Sequence, residues 1–141
     1  MNGVYAQAFF DPCPRLLAGF FFHQALMAAK SIDKIAIGTM KDFPVPSVKP
    51  FLKEQFIVFR DENGIYAVSS RCTHAGCTVT FKNKDGIFAC LCHGAKYSKV
   101  GAVLSGPAKT ALAWFLIEKD SAGNLYVDKS KPVAQGTKFK F

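Results

Sequence analysis

The chain has 141 residues, room for one domain of ordinary size with a modest core. Half of its residues are hydrophobic and 13% are aromatic, which excludes a disordered or low-complexity chain. Its formal charge is +8, with ten lysines against four acids from Phe81 onward. The lysines are not interleaved with stacking aromatics, and no helix-turn-helix or zinc-finger spacing occurs, so nucleic acid is not an expected partner. A solvated basic surface, an acidic protein partner and an anionic membrane face remain.

Residues 1–30 differ from the rest of the chain. Two prolines flank Cys13 in Asp11-Pro12-Cys13-Pro14-Arg15, so no regular element continues through it. Leu16 to Ala29 then carries no charge over 14 residues and includes Phe20-Phe21-Phe22 and His23. A spanning helix needs about 20 apolar residues, so this run is short. Three readings stay open: a membrane anchor, the apolar region of an export signal, or a packing helix. Met27-Ala28-Ala29 is only a weak cleavage signal, and no twin arginine precedes the run. His23 reads as a packed or interfacial histidine. The sequence assigns no role to Cys13.

The second part, 31–141, reads as many short strands. Ile35-Ala36-Ile37 is a first strand, and Pro44, Pro46 and Pro50 make Asp42 to Pro50 an extended loop. Gln55 to Arg60 and Ile65 to Ser69 are strands joined through Asp61-Glu62-Asn63-Gly64, where Asn-Gly signals a hairpin. Thr78 to Phe81 and Ile87 to Ala89 flank a second turn at Asn83-Lys84-Asp85-Gly86. Ser105-Gly106-Pro107-Ala108 is a loop, and Ala111 to Glu118 a buried strand with Trp114 as core. Ser121 to Asn124 is a third turn before Leu125-Tyr126-Val127. Thr137 to Phe141 is expected as an edge strand with Lys138 and Lys140 facing out. The class is all-β and antiparallel.

Two short runs carry the chemistry: Cys72-Thr73-His74-Ala75-Gly76-Cys77 and Cys90-Leu91-Cys92-His93-Gly94. They hold four of the five cysteines and two of the three histidines. The hairpin brings them to neighbouring ends, as two loops closing on one centre require. Six candidate ligands are too many for one tetrahedral zinc, and Cys-x-His with both residues binding is unusual for a zinc knuckle. A plain disulfide framework leaves the histidines unexplained. A [2Fe–2S] cluster with two Cys on one iron and two His on the other uses four of the six.

With these two runs, with Tyr97 four residues after His93, and with Gly106-Pro107-Ala108, the sequence resembles the Rieske iron–sulfur proteins from about Ile35 to Phe141. The resemblance implies a β-sandwich with a small cluster-binding subdomain built from loops within about 70–98 and a proline loop at 105–108. It implies one [2Fe–2S] cluster, with Cys72 and Cys90 on the inner iron and His74 and His93 on the outer. It also implies a disulfide between Cys77 and Cys92. That pair is shared with the quinol-oxidising cytochrome bc and b6f subunits and with the small subunit of arsenite oxidase. A persistent disulfide points to an oxidising compartment, here the periplasmic side.

The implied role is one-electron transfer as the Rieske subunit of a membrane-associated quinol:cytochrome c-type oxidoreductase. Its partners would be a b-type cytochrome, a c-type cytochrome and quinol, with His93 facing the quinol. A small subunit of an arsenite-oxidase-like molybdoenzyme and a soluble Rieske electron carrier are the alternatives. Tyr97, Ala95 and Pro107 are the expected tuning positions. Ala95 stands where high-potential members commonly carry a serine that donates to a sulfide, so a lowered potential suited to menaquinol is expected. Ala75 stands where quinol-oxidising subunits usually carry leucine.

Overall fold

The computed structural model describes residues 33–140, so the apolar run and Cys13 lie outside the described residues. Among the described residues, ten strands form two antiparallel sheets, and no helix is long and apolar enough to cross a membrane. The larger sheet contains β1 (Lys34–Thr39), β2 (Ser47–Phe51), β3 (Phe56–Asp61), β4 (Gly64–Ser69), β9 (Trp114–Lys119) and β10 (Asn124–Val133), in the order β1-β10-β9-β4-β3-β2. The smaller sheet is β5 (Val79–Lys82), β6 (Ile87–Cys90), β7 (Lys96–Ser98) and β8 (Val103–Ser105), in sequence order.

The unbroken apolar runs of β3 and β4 follow from burial on both faces of the larger sheet. Alternation then sends Ile57, Phe59, Tyr66 and Val68 to one core, which they share with Phe88, Tyr97 and Trp114. Phe56, Val58, Ile65 and Ala67 enter a second core with Ile37, Phe43, Leu125 and Val127. The first core lies between the sheets and carries the functional loops.

An aromatic column crosses that core. Trp114 stacks on Tyr66 at 4.5 Å, Tyr66 on Phe59 at 5.2 Å, and Phe59 meets Phe81 edge-on at 4.9 Å. Trp114 is buried, as expected, and its indole N–H donates to the Val100 carbonyl at 2.8 Å. Burial raises the Tyr66 hydroxyl pKa to about 12, with the Asp61 carboxylate acting in the same direction. Truncating a core ring such as Phe59 to alanine costs about 3–5 kcal/mol.

The structure departs from the sequence-based strands in several places. The expected loop over 42–50 contains β2, an edge strand that pairs only with β3. Pro50 is tolerated there because an edge strand leaves one row of backbone groups without ladder partners. The Val45–Pro46 bond is cis. Strands β7 and β8 have three residues each, too short for a periodic signal. Residues 111–113 lie ahead of β9, where Leu112 N–H donates to the Gly101 carbonyl. Strand β10 runs on to Val133, with its register with β9 shifting between Asp128 and Pro132.

The hairpin between β3 and β4 forms where Asn63-Gly64 signalled it, but for a different reason. Asp61 pairs with Gly64, so Glu62 and Asn63 make the turn, and Asn63 does not take positive φ. Gly64 has φ +138°, and the Phe139 carbonyl oxygen passes 2.6 Å from where a Cβ would sit, so only glycine leaves it room. The C-terminal segment is held there by two hydrogen bonds between the backbones of Ile65 and Phe139. It makes an isolated bridge and no edge strand, and Lys138 does not face out. Its ammonium reaches the Asp61 carboxylate at 2.5 Å and lies 5.1 Å from the Tyr66 ring centre.

Candidate metal centre

The smaller sheet positions the site. In the β5–β6 hairpin Val79 pairs with Cys90 and Lys82 with Ile87, so the turn points away from the cysteines. The other end of the hairpin receives both runs. An isolated bridge between Arg71 and Thr78 closes the base of the first loop.

The two loops share one backbone frame. Cys72 N–H donates to the Cys77 carbonyl at 2.7 Å, and Gly76 N–H to the Cys72 carbonyl at 2.9 Å. In the second loop Cys90 N–H donates to the Ala95 carbonyl at 2.8 Å, and Gly94 N–H to the Cys90 carbonyl at 3.1 Å. The glycines have φ of +77° and +73°, a conformation costly for other residues. Each loop therefore folds back on its leading cysteine, and both cysteine side chains are buried at the base.

The candidate side chains separate cleanly by depth. Cys72 and Cys90 are free and buried, while His74 and His93 are exposed. The two imidazole rings face one another with centroids 4.8 Å apart and planes at 84°. Cys77 and Cys92 form a disulfide that joins the loops across a separation of 15 residues. The Cys90 ligand atom lies within 4.8 Å of both disulfide sulfurs, but those two sulfurs are already bonded to each other. The donors left in the two loops are thus two buried thiols and two exposed imidazoles. This set fits a cluster with thiolates on an inner iron and neutral imidazoles on an outer one.

Tyr97 supports the first loop from below. Its buried hydroxyl lies 3.2 Å from the Cys72 sulfur and 3.1 Å from the Thr73 nitrogen and hydroxyl. Burial opposes the charged form of Cys72. The Tyr97 hydroxyl, the His74 N–H, the Cys90 thiol and the Ala75 N–H outweigh it, and the thiol is held below its ordinary pKa. That favours the thiolate, the form that binds metal.

A third loop covers the other two. Gly106, at φ +94°, lies so close to Ala95 that a Cβ would come within 2.6 Å of the Ala95 Cα. Ala95 and Ala108 are both buried in the core that contains the two thiols, whereas Pro107 is exposed. The covering contact of this loop thus runs through Gly106 and Ala108. Thr73, a residue the sequence did not single out, ties the third loop to the first. Its hydroxyl donates to the Thr110 carbonyl at 2.6 Å. Its partner lies 37 residues away, so no local pattern marks it.

Residues 33–116 match the Rieske [2Fe-2S] domain family. The cytochrome b6-f complex iron-sulfur subunit of Chlorobaculum thiosulfatiphilum is 35% identical over 96 residues, covering 65% of this chain and 53% of that protein. The subunit of the same name from Chlorobaculum tepidum is 33% identical over 91 residues, covering 63% and 50%. The chain thus spans about half the length of these curated relatives. Among solved structures, the cyanobacterial plasma membrane Rieske protein PetC3 from Synechocystis PCC 6803 superposes with a TM-score of 0.51 at 33% identity. That superposition covers 67% of this chain and 98% of PetC3. With the paired Cys-His loops, the disulfide between them and this match over most of the described domain, the chain belongs to the Rieske [2Fe-2S] family of electron-transfer proteins and its cofactor is one [2Fe–2S] cluster.

Proposed function

We propose that this chain is the Rieske subunit of a quinol:cytochrome c-type oxidoreductase, with Cys72, Cys90, His74 and His93 as the cluster ligands. The pair of exposed imidazoles, 4.8 Å apart, together with the two buried thiols, carries the reading. The names of the two Chlorobaculum relatives support the choice of complex. When bound, the cluster supplies one-electron carriage at a potential well above that of all-cysteine clusters, about −150 to +300 mV.

The protein's own residues divide the remaining work. Cys72 and Cys90 keep their sulfurs away from water, and Tyr97 orients Cys72. His93, on the exposed face, presents its imidazole to the quinol and accepts a hydrogen bond from the quinol hydroxyl. His74 and the Gly106 loop close the other sides. Partners are a b-type cytochrome and a c-type cytochrome, with the domain on the periplasmic side of a membrane-associated complex. The disulfide supports that oxidising location. Ala95 offers no hydroxyl, which supports a potential in the lower part of the family range and menaquinol as substrate.

Two measurements test this. The reduced protein should give the low-average-g EPR signal of a His-ligated cluster, lost in Cys72→Ser and altered in His93→Cys. Purification from native membranes should bring down a b-type cytochrome. A molybdopterin subunit in its place would refute the assignment to a quinol–cytochrome complex while leaving the cluster reading intact.

A further inference from the structure

The charges of the domain are sorted by position. The ion pairs among the described residues join Lys34 and Lys131 to Glu118, Lys131 to Asp128, and Lys138 to Asp61. All of them involve the larger sheet or the C-terminal segment. Between Arg71 and Ala113 the chain contains one carboxylate, Asp85. It sits in the β5–β6 turn, at the end of the hairpin away from the cysteines. The three loops at the histidine end therefore hold no carboxylate.

That end does hold three exposed cations. Arg71 precedes the first loop, and its guanidinium lies against Gly76, 3.2 Å from where a Cβ would sit. Lys96 follows the second loop, in register with Ser105 at the start of the third. Lys109 adjoins Thr110, whose carbonyl is bonded to Thr73 in the first loop. None of the three makes an ion pair among the described residues. The same loops carry the two exposed imidazoles and the exposed Ala75 and Leu91. Leu91 is 85% exposed, more than any other large apolar residue described. An open cleft of about 410 Å³ runs beside the first loop, with Arg71, His74 and Ala111 among its walls.

These are the parts of a protein interface, apolar and polar groups side by side, and the charged side chains flanking the three loops have a single sign. We propose that Arg71, Lys96 and Lys109 form a docking collar for an acidic protein surface, that of the electron acceptor, centred on Leu91 and the histidines. The inference rests on the electron-transfer reading above and adds the charge of the partner. One electron leaves the reduced cluster and one enters the oxidised acceptor, so no further reactant is needed. A protein is favoured over a lipid face because an acyl chain cannot take the electron and one leucine is too small an anchor. Like-signed charge around the exit would steer an acidic acceptor to the histidine tip and lose that effect as salt is added.

The test uses the full-length, cluster-loaded protein with an acidic and a basic c-type cytochrome as probes. Binding to each immobilised cytochrome and the second-order rate of cluster oxidation are measured from low to high ionic strength. For the acidic probe, Arg71→Gln/Lys96→Gln/Lys109→Gln is expected to weaken binding and slow oxidation about tenfold at low salt and to flatten the salt dependence. The double variant Lys96→Gln/Lys109→Gln should give a smaller change in the same direction, and it leaves the Arg71 contact with the first loop intact. Lys96→Arg/Lys109→Arg should restore both. Equal binding and equal salt slopes in wild type and variants would overturn the proposal. So would collar-dependent sedimentation with vesicles of phosphatidylcholine and phosphatidylglycerol without collar-dependent binding of the acidic cytochrome. Loss of the EPR signal in the wild type would instead count against the electron-transfer reading, and the binding assay would still report on the collar.

Discussion

The Tyr97 hydroxyl lies 3.2 Å from the Cys72 sulfur and 3.1 Å from the backbone nitrogen of Thr73, so one buried phenol serves both the Cys72 thiol and the loop that carries it. Tyr97→Phe keeps the ring and deletes these bonds, leaving the Thr73 N–H without that acceptor. The expected loss of stability is about 1–2 kcal/mol, read from chemical denaturation. A hydrogen bond that strengthens by about 1 kcal/mol on reduction corresponds to about 40 mV, so the potential of the loaded protein should fall by that order. A destabilised variant with an unchanged potential would show that Tyr97 braces the loop without tuning the metal.

Ala95 gives the converse experiment. It is fully buried, pressed by the Gly106 backbone, and lies in the same core as the two thiols. Ala95→Ser adds a single donor inside that enclosure. Redox titration should show a rise of tens of millivolts, with only a small change in melting temperature. A potential that does not move would remove the argument for a cluster tuned toward menaquinol.

The clasp between Cys77 and Cys92 closes a span of 15 residues. A crosslink of that span stabilises by about 3 kcal/mol in the chain-entropy account. Cys77→Ala/Cys92→Ala should lose stability of that order and release the cluster sooner on warming, followed by visible absorption. Added thiol reductant should reproduce the loss in the wild type and change nothing in the double variant. A reductant effect of equal size in both would place its target elsewhere.

Acid sensitivity has an identifiable contributor in the larger sheet. The Asp128 side chain is buried and accepts from the Ser130 hydroxyl at 2.5 Å and the Ser130 N–H at 3.0 Å, with Lys131 at 3.4 Å. These bonds hold its pKa below the ordinary 3.8. A depressed carboxylate stabilises the fold above its unfolded pKa, and that contribution disappears as pH falls through the folded value. Stability should therefore decline below about pH 4 more steeply in the wild type than in Asp128→Asn. Denaturation midpoints at pH 6, 4 and 3 compare the two. Parallel curves would assign the acid limb to other groups. Asp61 is next, since its burial is outweighed by Lys138 and the Asn63 N–H, which lower its pKa.

Much of the fold and the site is legible in the chain because the signals are local. The β3 and β4 runs announce strands buried on two faces, and the two Cys-His runs announce the centre. What escapes the sequence depends on distant partners. Strand β2 is hidden by Pro50 and the two prolines before it, and the cost of Pro50 vanishes only at a sheet edge. Gly64 reads as a turn residue, whereas the space it leaves is filled by the Phe139 carbonyl, 75 positions further on. Alternation sends Lys138 toward solvent, but Asp61 and the Tyr66 ring hold it against the sheet. Pro107 stands out as the family's mark, while Gly106 makes the close approach. Thr73 and its bond to Thr110 give no warning, since a threonine between a cysteine and a histidine looks like a spacer.

The repeated backbone frame of the two loops has a broader consequence. Each is a six-residue turn that returns to its leading cysteine through the same two hydrogen bonds and the same glycine, so a side chain's duty is set by how far it stands from that cysteine. The histidine stands two places on in the first turn and three in the second, and the clasp cysteine five and two. The centre is in that sense a two-line cipher written on a common ruling. A redesign could keep the ruling and move the letters, giving new ligand arrangements without a new fold.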